Sequence, residues 1–136
     1  MSTAMTAPVP NGGIRSALLI GAIYDGLLGL VFLLAARPVM EALGVPMPEN
    51  PIYLQLAAGL IAIMGLLQFY AWRDLERNAD IIRVLIAFKG FFVLLAGWSY
   101  FNGNLPSPVF GVFALIDIAF LIAFLFYLGK YGVATR

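Results

Sequence analysis

Histidine and cysteine are both absent from this chain, and charge is scarce: 11% of its 136 residues are Asp, Glu, Lys or Arg. Without cysteine there is no disulfide framework, thiolate metal site or redox dithiol. Without histidine the commonest transition-metal ligand and the commonest general base near neutral pH are missing. No zinc hydrolase site, His-ligated haem or Ser-His triad is therefore expected, and no cofactor is expected to bind through His or Cys. A net charge of +1 argues against a nucleic-acid partner. A soluble domain carries about 25% charged residues, so the deficit points to a membrane.

What is present agrees. The chain is 62% hydrophobic, with mean hydropathy +0.96, and its apolar residues fall into long runs. Four spans are expected, at Ile14 to Ala36, Tyr53 to Trp72, Ile81 to Phe101 and Val109 to Tyr127. Each is close to the roughly 20 residues that a membrane-crossing helix needs. The length allows one compact bundle and no second domain. Residues 1–13 read as a disordered tail, 14–131 as a four-helix transmembrane domain and 132–136 as a C-terminal tail. The first span is too long for the apolar region of a signal peptide and lacks a small-x-small site before a polar start, so it is expected to be retained.

The fold class expected is an all-α integral membrane bundle, up-down-up-down, because short links make neighbouring helices antiparallel. The one long connection, RPVMEALGVPMPENP, places Pro38 where a short helix starts and Gly44 where it ends. Val39, Met40, Leu43 and Val45 would give it an apolar side. An interfacial helix of one or two turns, or a plain loop, fits this segment. Arg73 to Asp80 alternates in charge and reads as a solvated, self-paired turn, with anionic lipid or a soluble partner as the other reading.

Orientation follows from the basic residues. With both termini inside, Arg15, Arg73, Arg77, Arg83, Lys130 and Arg136 are cytoplasmic, and Arg37 alone is outside, beside Glu41 and Glu49. Tyr70, Trp72, Tyr127 and Tyr131 then fall at the inner interface. Tyr53, Trp98, Tyr100 and Phe101 fall at the outer one.

Asp25, Lys89 and Asp117 interrupt the spans and are the candidate site. Intramembrane ionisable residues are costly and mark function or specific pairing. At about 1.5 Å rise per residue, Lys89 lies about 12 Å from the inner end of its span, Asp25 about 16 Å and Asp117 about 15 Å. The depths match, so the three meet if their faces converge. Ala17, Gly21, Asp25 and Gly29 form one stripe of small residues around an acid, and Gly111, Ala114 and Asp117 form a second. Gln55, Ala58, Ala62, Gly65 and Gln68 form a third. Small residues permit close helix approach, whether or not a site accompanies it.

Several readings of the charged trio are open. In a buried ion cluster that fixes helix register, Lys89 neutralises one acid, and the other is protonated or bonded to a hydroxyl or backbone group. In a proton or cation path, or a contact for a ligand head group, the three line a route or pocket. Alternatively Lys89 snorkels to the cytoplasmic face, and an Asp faces a partner subunit. Trp72 and Trp98 read as interface anchors. Phe88, Phe91, Phe92, Phe120, Phe124 and Phe126 read as lipid-facing or packing bulk, although Met64, Phe88 and Phe120 would suit an isoprenoid tail or pigment edge.

The stretches YDGLLGLVFLL, RPVMEALGVPMPENP, LAAGLIAIMGLLQFYAWRD and ALIDIAF resemble the DoxX-like group of small four-helix bacterial membrane proteins, over about residues 14 to 130. That resemblance implies the bacterial inner membrane and a group containing accessory subunits of membrane oxidoreductases, some acting near quinone. It carries no catalytic motif onto this chain.

The leading expectation is a non-catalytic accessory subunit, packed in lipid against other membrane subunits of an energy-transducing or redox complex, or as a homo-oligomer. A small oligomeric transporter or proton/cation conductor using Asp25, Lys89 and Asp117 is the second. A module binding lipid, quinone or pigment is the third.

Overall fold

The computed structural model of the protein describes residues 12–131. Within them the chain forms five helices: α1 Gly12–Leu34, α2 Ala36–Ala42, α3 Ile52–Arg73, α4 Ala79–Phe101 and α5 Pro108–Tyr131. Four of these, α1, α3, α4 and α5, are long and apolar enough to cross a membrane. Helix is the stable choice for such runs, because it satisfies every backbone polar group within the segment where no water is available. The tails expected at residues 1–11 and 132–136, and the side chain of Tyr131, lie outside the described residues. Gly12 and Gly13 are helical rather than part of the tail.

The first span ends at Leu34, two residues early, for a local reason. Pro38 lacks the N–H that would bond to the Leu34 carbonyl, and its ring would clash there. The chain bends at Ala35 (φ −129°, ψ 38°) and restarts as α2, where Pro38 occupies the first turn. Of the two readings of this connection, the structure has the short helix. Gly44 closes it at φ +66°. The Val45 N–H reaches the Met40 carbonyl at 2.9 Å and the Gly44 N–H reaches Glu41 at 3.1 Å, the paired bonds of a Schellman cap. Gly103 ends α4 in the same way, at φ +68°. Ser107 then starts α5, its hydroxyl accepting from the Val109 N–H at 3.4 Å, with Pro108 at the first helical position.

The turn at 74–78 is self-paired, as expected. The Asn78 amide donates to the Asp74 and Tyr70 carbonyls at 2.8 and 3.3 Å, and Arg83 pairs with Asp80. Leu75 tucks inward and is buried.

The membrane helices form a ring in chain order. Each packs against its neighbour in sequence, and α5 closes against α1. The closest pair is α1 with α3, antiparallel, and glycines explain the proximity. A Cβ on Gly65 would lie 2.5 Å from the Gly26 nitrogen, and one on Gly29 would strike the backbone of Ala62 and Ala58. The small-residue stripes of α1 and α3 therefore face each other. The α3 stripe stops short of its expected end: Ala58, Gly65 and Gln68 are buried, but Gln55 is exposed.

Two apolar clusters fill the bundle. Near the chain termini, Ile14, Leu18, Ala71, Leu75, Ile82, Leu85, Phe124 and Tyr127 pack together, drawing on all four membrane helices. Tyr127 is buried within this core, while Tyr53, Trp98, Tyr100 and Phe101, the aromatics expected at the outer interface, are exposed. At the opposite end Phe32, Met40 of α2 and Ala58 pack with Val39, the loop after α2 and Phe113, and among the described residues none of α4 joins them.

Candidate functional site

Asp25, Lys89 and Asp117 meet at the centre of the bundle. The Lys89 ammonium donates to Asp25 Oδ2 at 2.9 Å and to Asp117 Oδ1 at 2.8 Å. The lysine is 0% exposed and the two acids 3% and 7%. Helices α1 and α4 lie on a diagonal of the ring without close backbone approach. The long, flexible lysine side chain spans that gap, so residue 89 ties α4 to α1.

The fourth helix joins through Gln68. Its amide Nε2 donates to Asp25 Oδ2 at 2.5 Å and to the Met64 carbonyl at 3.3 Å. Its Oε1 is buried without a hydrogen-bond partner among the described residues and lies where a side chain on residue 21 would project, so Gly21 makes room for it. Aromatic rings complete the shell: the Lys89 Nζ sits 4.9 Å from the Phe120 ring centre and 5.9 Å from that of Tyr24. Ring faces stabilise a cation there without taking its hydrogen bonds.

The expectation of a buried cluster is realised with changes. Lys89 bridges both acids instead of neutralising one, and the additional partner of Asp25 is a side-chain amide. Snorkelling of Lys89 to the cytoplasmic face is excluded by its burial. Neither Asp faces outward toward a partner subunit. Gln68, first read as part of a packing stripe, belongs to the cluster. Tyr24 was not singled out in the sequence, although an aromatic residue next to an intramembrane acid is a signal that was available there. Of the remaining stripe residues, Gly21, Gly29 and Gly65 are buried, and Ala17 packs against the core near the termini.

The cluster has two unlike sides. Toward the termini stand Leu18, Ile82, Leu85 and Phe124, all fully buried. On the other side is a cavity of about 370 Å³ with Asp25 and Asp117 among its lining residues. Tyr24, Leu28, Ala57, Phe88, Phe92 and Phe113 form much of its apolar wall. Leu60, Phe91 and Leu95 line it too and are 43%, 67% and 50% exposed, so it opens sideways between α3 and α4. Phe88, Phe91 and Phe92 are thus cavity wall, while Phe124 is core. Met64 and Phe120 pack against the core near the termini and are not among the cavity's lining residues.

This volume lies in the range of small-molecule sites, about 300–1,000 Å³, which are mostly apolar with a few polar groups that fix orientation. Among the described residues no group of three or more Asp or Glu is placed to hold a metal ion.

No family model matches the chain, and neither curated proteins nor solved structures return a match. What the fold and the site define is a class: an integral membrane protein with four membrane-length helices among its described residues and a buried ion cluster beneath a cavity that opens on the side of the bundle.

Proposed function

We propose that this protein is a non-catalytic membrane module that binds a lipophilic molecule, with the polar end of that molecule against Asp25 and Asp117. The observation that carries this reading is the apolar cavity of about 370 Å³ that has two buried carboxylates among its lining residues. The side opening between α3 and α4 gives such a molecule entry from the bilayer without crossing water.

A conductor finds less support. The fully buried layer of Leu18, Ile82, Leu85 and Phe124 stands between the cluster and the terminal end. A continuous path would require that layer to part. The accessory-subunit role implied by the DoxX-like resemblance is compatible with ligand binding, since a larger membrane assembly is one destination for a bound lipophile. In this reading the protein sits in a bacterial inner membrane, as the DoxX-like resemblance implies, with both termini cytoplasmic on the strength of its basic-residue distribution.

The test is to purify the protein in mild detergent, delipidate it, and extract and identify what remains bound. A lipophilic compound retained by the natural chain and lost from Ala57→Trp, which fills the cavity wall, supports the proposal. Identical extracts from the two proteins would sink it.

A further inference from the structure

The polar end of the cavity has a sign. Asp25 and Asp117 each use one carboxylate oxygen in the cluster, and the other oxygen of each has no hydrogen-bond partner among the described residues. Both acids line the cavity and are at least nine-tenths buried. The donors nearby are largely engaged. Lys89 gives two of its three N–H donors to the acids and faces two aromatic rings, Gln68 Nε2 is held by Asp25 and the Met64 carbonyl, and neither residue lines the cavity. The cavity therefore has two carboxylates among its lining, and Tyr24 is the one residue of that lining whose side chain donates a hydrogen bond as well as accepting one.

Counted as ions, two carboxylates and one ammonium leave one negative charge in excess. In low dielectric such an excess is costly and calls for a cation or a proton. The wall offers aromatic faces, including Tyr24, Phe88, Phe92 and Phe113, and these attract cations. An anionic head group would meet two carboxylates in a medium that screens them poorly. An oxidised quinone, presenting only carbonyl acceptors, would find Tyr24 as its one donor.

We infer that the cavity selects a lipophilic ammonium, an amphiphile whose protonated amine bonds the free oxygens of Asp25 and Asp117 while its apolar body lies among the phenylalanines. This inference rests on the binding function proposed above and names its ligand class. The ammonium acts as the second cation of the cluster, giving two anions and two cations.

Three probes sharing one tail separate the possibilities: dodecylammonium, dodecanol and dodecanoate, each titrated into the full chain in mild detergent and read by native mass spectrometry. One dodecylammonium per chain is expected, bound at least about tenfold more tightly than dodecanol, with dodecanoate weakest. In Asp117→Asn the ammonium should lose about tenfold while dodecanol is unchanged. Ala57→Trp leaves the cluster intact and should weaken both, so the inference stays testable if the Asp117 variant fails to fold. Equal binding of dodecylammonium and dodecanol, both sensitive to Ala57→Trp, would overturn the charge selectivity and leave the binding function standing. Failure of all three probes to bind, or binding indifferent to Ala57→Trp, would overturn both.

Discussion

The two ends of this bundle are built from the same kinds of residue and differ in solidity. Toward the termini, Leu18, Ile82, Leu85 and Phe124 are fully buried, and α4 supplies two of the four. Toward α2, the apolar cluster contains, among the described residues, none of α4, and a cavity occupies the space between α3 and α4. Chain connectivity supplies a reason. At the solid end a tight turn at 74–78 joins α3 directly to α4, and Leu75 within it is drawn into the core. At the hollow end no link joins those two helices: α3 is tied to α1 through α2, and α4 to α5. Hydrophobicity alone does not close the gap, because lipid tails are as apolar as the side chains lining it. The ion cluster sits at the boundary and holds all four membrane helices at one level.

The largest effect should come from that boundary. Lys89→Met strands two facing carboxylates in the core, and loss of one partner of a buried pair costs about 3–5 kcal/mol in soluble proteins. Reversible unfolding in mixed micelles should show a loss of this order. The triple change Lys89→Met, Asp25→Asn, Asp117→Asn should recover most of it. A Lys89→Met protein as stable as the natural one would mean that the cluster does not join the two ends.

The contrast in solidity is tested next by equal truncations. Phe124→Ala, in the filled end, should cost about 3 kcal/mol through lost contacts and a new void. Phe91→Ala, at the cavity wall and already 67% exposed, should cost under about 1 kcal/mol, because little packing is lost. Equal losses in the same unfolding assay would abolish the distinction between the two ends.

Gly65→Val probes the helix pair that spans both ends. Its side chain would meet the Gly26 backbone, and overpacking of this kind costs about 1–3 kcal/mol. Wider α1–α3 spacing, read by spin-label distances on the two helices, should accompany the loss. The smallest effect belongs to the surface. Asp80→Ala removes an ion pair whose side chains are 90% and 42% exposed, and thermal stability should change by less than about 1 kcal/mol.

Much of this architecture was legible residue by residue. Pro38 and Gly44 signalled a short helix, which begins at Ala36, two residues before the proline, and the equal depths of Asp25, Lys89 and Asp117 brought them within reach of one another. The role of Gln68 was only half legible: its place in the α3 stripe was clear, but its bond to Asp25 depends on which stripe faces which. The cavity was not legible, because a phenylalanine facing lipid and one facing an internal space are the same letter in the same kind of run.

The sequence by itself determined the number, length and antiparallel order of the spans and the depth of each charge, since these follow from apolar run length, helical rise and short links. Tertiary structure decided which faces meet, that α1 and α4 stand diagonal with Lys89 bridging them, and that one end is filled and the other hollow. The physical reason is the solvent. In water an apolar stripe identifies the buried face of a helix. In a bilayer both sides of these helices are apolar, so rotation about each axis is set by glycine contacts and a few polar bonds that exist only once the helices are assembled.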